Sequence, residues 1–355
     1  MDPTSRPLPT KVTMISAFLK RKKKYKDAFY VGVKSTGVFH KSTCSVRKPG
    51  KKNMDFFSST KVALDYGYRP CKICHPFLPT GETALWIVDL LNEIDHDPAF
   101  KIRDSELVKR GIDPNKLRRW FKKHHGFTFQ AYLKYNRINH RFGNICYNKN
   151  LAVHNAYHTR KPVMLAAEEP EEYGEDKNPK QWIAINRIET PIGPLLAGAN
   201  EEGICLLEFS DRRMLETQIK ILEKRLNAEL YPGKSEYFEP LANQIDEYFS
   251  GNRTEFDISL ITPGTPFQQQ VWKAIEDVPF GKIRTYKQQS IQIGNPKAVR
   301  AVGSANGDNR IAIIIPCHRI VGNNGALVGY GGGLWRKRFL LELENPNQTK
   351  MFVKK

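Results

Sequence analysis

The chain has no apolar run near the roughly twenty residues that span a bilayer, so no membrane-crossing helix is expected. Residues 1–10 carry neither an apolar core nor a small-residue cleavage signature, which excludes a secretory leader as the expectation. Cysteine is scarce: Cys44, Cys71, Cys74, Cys146, Cys205 and Cys317 are the six in 355 residues. That is too few for a disulfide scaffold, so the expectation is a soluble, cytoplasmic protein whose thiols are metal ligands, nucleophiles or buried apolar groups. No repeat of fixed period is present, which argues against solenoids and propellers.

Acidic residues are sparse at both ends and gathered in the middle. Residues 1–150 hold 30 Lys+Arg against 12 Asp+Glu, residues 151–260 hold 12 against 20, and residues 261–355 hold 14 against 5. Two basic blocks flanking an acidic one point to a polyanion, nucleic acid before an anionic membrane surface. Residues 1–28, ending in Lys20–Lys24, read as a basic arm. Residues 29–79 read as a small, turn-rich segment, and 82–145 as helical. Ala167–Asp176 lies in a linker at about 150–180 that is too polar to pack. Strands are predicted at 182–189, 194–199 and 203–209, and helices at 211–228 and 236–249. Thr265, Pro266 and Gln268 announce a further helix, with Phe267, Val271, Trp272 and Ile275 facing the core and Gly281 marking its end.

Cys71-Lys72-Ile73-Cys74 is a C-x2-C knuckle with Cys44 upstream. Tetrahedral zinc needs four N or S donors, and such a knuckle supplies two. The fourth is His40, four residues before Cys44, with His75 as the alternative. Further on, Ser105–Arg110, Gly111-Ile112-Asp113 and Pro114–Lys123 read as helix, tight turn, helix. Asp113 caps the second helix and Pro114 takes its first position. Leu117, Trp120 and Phe121 face inward, leaving Asn115, Lys116, Arg118, Arg119, Lys122 and Lys123 outward, as a helix in the major groove requires.

Ile311–Ile315 reads as a buried strand running into Pro316-Cys317-His318-Arg319. His and Arg beside a thiol can lower its pKa and yield the thiolate. Adjacent residues on a regular strand face opposite ways, so a Cys–His pair needs a chain turn or a bridging water. Upstream, 286–293, Gly294-Asn295 and 296–303 form a second helix-turn-helix. Its second helix is rich in small residues, with Arg300 standing out; close approach of a partner and tight internal packing both fit. Downstream, Gly329–Gly333 is a flexible loop before a helix from Leu334, which brings Glu344 toward the site.

Together these motifs resemble the Ada family of alkylated-DNA repair proteins and regulators over nearly the whole chain. The Pro-Cys-His-Arg run and the Tyr68-Arg69-Pro70-Cys71-Lys72-x-Cys74 string are its specific marks. The resemblance implies an α+β multidomain fold: a basic arm (1–28), an Ada-type zinc-binding α/β domain (29–79), a helix-turn-helix domain (80–149), an acidic linker (150–180), an alkyltransferase sheet domain (181–262) and a helical catalytic domain (263–349). It implies irreversible alkyl transfer from 6-O-alkylguanine to Cys317, with His318 as base through a water, Glu344 orienting His318, and Asn309 holding the turn. Arg300 would replace the flipped base and Tyr286 would press on its phosphate. Arg319, backbone groups near Ile320 and at Gly331, and the wall formed by Tyr330 complete the DNA-binding set, with Arg118 and Arg119 on the helix-turn-helix. One zinc on His40, Cys44, Cys71 and Cys74, double-stranded alkylated and promoter DNA, RNA polymerase as partner, a monomer and a nucleoid location follow from the same likeness. His40 stands where the family's zinc domain has a methyl-accepting cysteine, so phosphotriester repair is not expected. A DNA-binding regulator that only senses lesions would not need Cys317, and a Cys–His hydrolase would need an oxyanion hole that the sequence does not offer.

Overall fold

The computed structural model describes residues 8–78, 85–97, 100–142 and 181–347, so the linker expected at 150–180 and Cys146 lie outside it. The chain divides into two compact units, one ending at Ile145 and one beginning at Cys146. Among the described residues no helix is long and apolar enough to cross a membrane.

The first unit opens with α1 (Lys11–Leu19), capped by Thr10. The stretch expected as an arm therefore contains a helix: Met14, Ala17 and Phe18 are apolar at helical spacing and bury against Phe29, Val31 and Cys44. Four short strands follow, β1 (Tyr30–Val33), β2 (Val38–Lys41), β3 (Met54–Phe57) and β4 (Arg69–Pro70), in the order β3-β1-β2-β4, with α2 (Thr60–Asp65) between the last two. Side chains alternate across a strand. Phe39 on β2 accordingly enters one core and its neighbour His40 faces the other side, opposite Val31.

Phe39's core is shared with α3 (Leu85–His96), α4 (Asp104–Lys109), α5 (Pro114–His125) and α6 (Phe129–Phe142). The division expected at residue 80 does not divide this core. Phe77, three residues past Cys74, sits 4.7 Å from both His125 and Tyr132 and 6.0 Å from Phe39, ring centre to ring centre. Phe77→Ala should therefore cost this unit about 3–5 kcal/mol, read as lost amide protection across α5 and α6; a loss below about 1 kcal/mol would mean that the aromatic cluster is not what joins the two parts.

The second unit begins with a sheet of β5 (Gln181–Ile188), β6 (Leu195–Ala199), β7 (Ile204–Phe209) and β8 (Ala228–Pro232), ordered β7-β6-β5-β8, with α7 (Leu215–Leu226) and α8 (Phe238–Phe249). It continues through α9 (Pro266–Glu276), β9 (Arg284–Thr285), α10 (Tyr286–Gln292), α11 (Val299–Gly307), β10 (Ile320–Val321) and α12 (Leu334–Glu344). The capping box of Thr265 and Gln268 is present. Leu195, Phe209 and Leu241 share one core with Trp272, Val302, Ile315 and Leu340, so the expected boundary at 262 also runs through a common core.

Three sequence expectations change here. Ile311–Ile315 is a tight turn: Ile311 bridges Leu207 of β7, and Ile313 has φ +73°, an unfavourable region for a β-branched residue. The run reads as a strand because its residues are apolar, but Asn309 binds the Ile311 amide and the Ile315 carbonyl with its side chain and bends the backbone. Gly281 does not end α9, whose cap is Asp277. Its φ of +70° and lack of a Cβ let the backbone lie against the end of α12, where a Cβ would come within 3.0 Å of the Glu344 carbonyl. Strand β8, parallel to β5, was not expected at all.

Candidate active site and metal centre

Cys317, His318 and Arg319 form one 3-10 turn, so of the two expected alternatives the chain does turn here. Cys317 is partly exposed while His318 is fully buried. The Asn309 amide Nδ2 donates to Cys317 Sγ at 3.3 Å and to the Ile315 carbonyl at 2.9 Å, tying the thiol to the turn that precedes it.

His318 Nε2 lies 2.7 Å from Glu344 Oε1. A carboxylate only accepts, so Nε2 carries the proton and Nδ1 keeps the lone pair. Nδ1 is buried without a hydrogen-bond partner. Glu344 also accepts from the Tyr248 hydroxyl at 2.8 Å, from Arg319 Nε at 2.8 Å and Nη2 at 3.0 Å, and from the Gly281 amide at 3.2 Å. Burial alone would raise this carboxyl, but His318 and Arg319 outweigh it and hold it near 2. Burial keeps His318 below its ordinary value although Glu344 pulls the other way, so it is an unprotonated base at neutral pH.

Arg319 is thus corrected. Expected at the DNA, it is 6% exposed and turned inward onto Glu344 and the Val278 carbonyl. The thiol is corrected too: burial pushes Cys317 up, and what opposes this is the Asn309 bond followed by the charges of Arg212 and Lys337. Lys337 was missed. Its ammonium is buried and donates to the carbonyls of Ile320 and Val328 at 2.5 and 2.7 Å. Burial lowers it to about 8 although Cys317 pulls it upward. The signal was in the sequence, because Lys337, Leu340, Leu341 and Glu344 form the i, i+3, i+4, i+7 stripe that a helix buries.

The remaining expected residues fall around this centre. Tyr286 opens α10, and its hydroxyl lies 3.3 Å from the Gly329 carbonyl. Burial first and Cys317 second raise it to about 12. Thr285 caps α10 and pairs with Val321, so the pairing of β9 with β10 holds Tyr286 beside the residues that follow His318. The Tyr330 hydroxyl is buried, and Gly331 is exposed. Arg300 projects from α11 among the exposed residues Ala301, Ser304 and Gly307. That face is open, with nothing within 4 Å of a Cβ placed on Gly307, whereas Ala305 on the other side of the helix is buried in the core.

In the first unit His40, Cys44, Cys71 and Cys74 bring their ligand atoms within 4.8 Å of one another. His75, the alternative, is not among them. Burial disfavours a charged His40, but bonds to Cys44 and Cys71 outweigh this and raise it to about 9. The same crowding drives Cys71 down and Cys74 up. Three thiols and an imidazole held this closely compete for protons, and a tetrahedral zinc ion resolves the competition by displacing them. The Lys41 and Ile73 amides donate to Cys74 and Cys71 sulfur at 3.3 Å, the bonds a metal-bound thiolate wants. The donor set fits zinc. On α5, Asp113 accepts from the Asn115 amide, and Leu117, Trp120 and Phe121 are buried. Arg118 and Arg119 are exposed, with Arg118 paired to Asp104 at 2.5 Å.

Three family models match: the metal binding domain of Ada at residues 13–76, and the ribonuclease-like and DNA binding domains of 6-O-methylguanine DNA methyltransferase at 185–262 and 266–346. The methylated-DNA–protein-cysteine methyltransferase of Methanosarcina barkeri is 45% identical over 161 residues, 45% of this chain and 96% of that protein. The bifunctional transcriptional activator and DNA repair enzyme Ada of Escherichia coli is 28% identical over 339 residues, 91% of this chain and 93% of that one. A crystal structure of the Mycobacterium tuberculosis protein OGT in complex with DNA is 42% identical, covering 46% of this chain and 93% of that one, with a TM-score of 0.40. The chain belongs to the methylated-DNA–protein-cysteine methyltransferase family and carries, ahead of its transferase part, a zinc-binding domain of the Ada kind.

Proposed function

We propose that Cys317 is the alkyl acceptor and that the chain removes the alkyl group from 6-O-alkylguanine in double-stranded DNA, one lesion per molecule. The observation that carries this is the chain of contacts behind the thiol: Asn309 on its sulfur, and a neutral His318 whose proton is fixed on the Glu344 side. His318 Nδ1 takes the thiol proton through a water, the sulfur attacks the alkyl carbon, and the carbon–oxygen bond breaks. The guanine oxygen leaves as an anion that is reprotonated. Attack in line and at near-attack distance is what a fixed thiol supplies. The product is a thioether, which no neighbouring group hydrolyses.

A base stacked in a duplex cannot reach a half-buried thiol, so it must be flipped out at a cost of a few kcal/mol. The open small-residue face of α11 lets a groove approach, and Arg300 on it fills the gap left in the stack. Tyr286, Tyr330 and backbone groups at Gly331 and Ile320 line the pocket; the Ile320 carbonyl already accepts from Lys337 and has one lone pair left for a base.

In the first unit, α5 enters a major groove with Arg118, Arg119 and their basic neighbours and directs the protein to promoter DNA. The name of the Escherichia coli relative supports transcriptional regulation, with RNA polymerase as partner, the chain acting as a monomer on nucleoid DNA in the cytoplasm. His40 changes the first unit's chemistry. Zinc with three thiolates and a neutral imidazole keeps one net negative charge, and the imidazole is a poor methyl acceptor beside a zinc thiolate. DNA binding here accordingly needs no methyl transfer to the zinc site. Intact-mass analysis after incubation with DNA carrying both 6-O-methylguanine and methyl phosphotriesters should show a single methyl adduct, mapped to Cys317 and absent from Cys317→Ala. An unchanged mass would overturn the repair reading, and a second adduct on Cys44 the reading of the zinc site.

A further inference from the structure

Arg212 follows β7 and is 5% exposed, a charged side chain inside the core of the second unit. Its Nη1 donates to the Asn309 carbonyl at 2.7 Å and pairs with the Glu208 carboxylate, and its Nη2 donates to the Gly307 carbonyl at the end of α11. Glu208 is itself held, accepting from the Phe209 amide at 2.9 Å. On the guanidinium's other side lies the pocket loop: a Cβ on Gly331 would come within 2.8 Å of Arg212 Nε and 2.9 Å of its Cζ.

We infer that Arg212 is a positioning residue for the nucleophile. One arm of its fork fixes the backbone of Asn309, whose side-chain amide holds Cys317 Sγ, and the other fixes the end of α11. Its plane also explains why position 331 has no side chain, since a guanidinium fixed by a buried carboxylate and two carbonyls cannot yield to one. Burying a cation is costly unless it is paired, and Glu208 provides the pairing. Burial lowers Arg212 while Cys317 leads the groups that raise it again, so cation and thiolate favour each other. Neither Asn309 nor Cys317 is near Arg212 in sequence; β7 brings them together, through the bonds of Leu207 to the Arg310 carbonyl and the Ala312 amide at 2.8 and 2.7 Å.

This inference rests on reading Cys317 as the acceptor. The test uses the full zinc-loaded chain as wild type, Arg212→Lys, Arg212→Met and the double variant Glu208→Gln/Arg212→Met, which leaves no unpaired buried charge. Two readouts are taken: the ionisation midpoint of Cys317 from thiolate ultraviolet absorbance, differenced against Cys317→Ser, and the single-turnover rate on methylated DNA. Both methionine variants should raise the midpoint by about one pH unit and slow transfer at neutral pH about tenfold. Arg212→Lys keeps the charge but not the fork, so it should hold the midpoint and lose rate. Gly331→Ala should slow the wild-type chain but add nothing to Arg212→Met, whose flexible side chain makes room. An unmoved midpoint in both methionine variants would reduce Arg212 to a packing role and overturn the inference. Failure of the wild-type chain to methylate Cys317 would instead overturn the proposed function, and the midpoint would still judge Arg212.

Discussion

Glu344→Ala should slow alkyl transfer by about 10² to 10⁴-fold, the usual worth of an oriented general base, and destabilise the second unit by about 3–5 kcal/mol. The second figure reflects what remains after the change. Arg319 would be left buried with its charge unpaired, and the Tyr248 hydroxyl and Gly281 amide would lose their acceptor. The rate falls because nothing else fixes the proton on His318 Nε2 and leaves Nδ1 as the base. Glu344→Gln separates the effects, since it retains the volume and one acceptor but removes the charge. It should recover part of the stability and little of the rate. The pH dependence has a definite sign. Glu344 titrates near 2 in the fold against an ordinary 4.5, so the unfolded chain binds the proton first and stability rises with pH. The contribution is complete above about 4.5 and is lost as pH falls toward 2. Urea unfolding of wild type and Glu344→Gln across that window should show the slope only in the wild type; parallel curves would mean that Glu344 is not the charge that Arg319 and His318 stabilise.

How much of this was legible in the sequence depends on whether the information is local. Caps and periodic faces are local: Thr265 with Gln268, Asp113 with Pro114, and the buried stripe of α5 all stand as read. The four metal ligands were legible because thiol spacing carries its own chemistry. The misreadings share a different cause. Ile311–Ile315 has strand composition, but its backbone is set by the side chain of Asn309, a tertiary override of propensity. Arg319 was placed at the DNA by the family resemblance, whereas its partner is 25 residues away on α12. Tyr248 is 96 residues from the carboxylate it binds, and Arg212 is 97 from the carbonyl it holds. No spacing rule reaches that far, so Cys317, His318 and Glu344 could be singled out in the sequence while Tyr248 and Arg212, which hold the groups behind them, could not.

Stripping zinc from the full chain with a chelator should unfold the first unit and leave alkyl transfer to Cys317 intact. Among the described residues, the fully buried part of the core on the metal side is Met14, Ala17, Phe18, Phe29, Val31 and Met54 with Cys44 and Cys71. Two of its eight buried residues are thus metal ligands. A structural zinc of this kind contributes about 10–16 kcal/mol of binding energy that is also folding energy, more than so small a core can replace. The loss should not stop at the strands. His40 and Phe39 are neighbours on β2 facing opposite ways, and the turn from Cys74 places Phe77 among Phe39, Phe121, His125 and Tyr132. When the metal leaves, both anchors of the helical half lose their fixed backbone, and α5 with Arg118 and Arg119 loses its support. Hydrogen exchange should then rise together in β1–β4 and in α5 and α6, and the DNA binding proposed for α5 should be abolished. The second unit has its own core and no residue of the zinc site, so its exchange pattern and its methyl uptake should not change. Zinc removal that frees β1–β4 but leaves α5 and α6 protected would show that the shared aromatic core does not couple the metal to the helices.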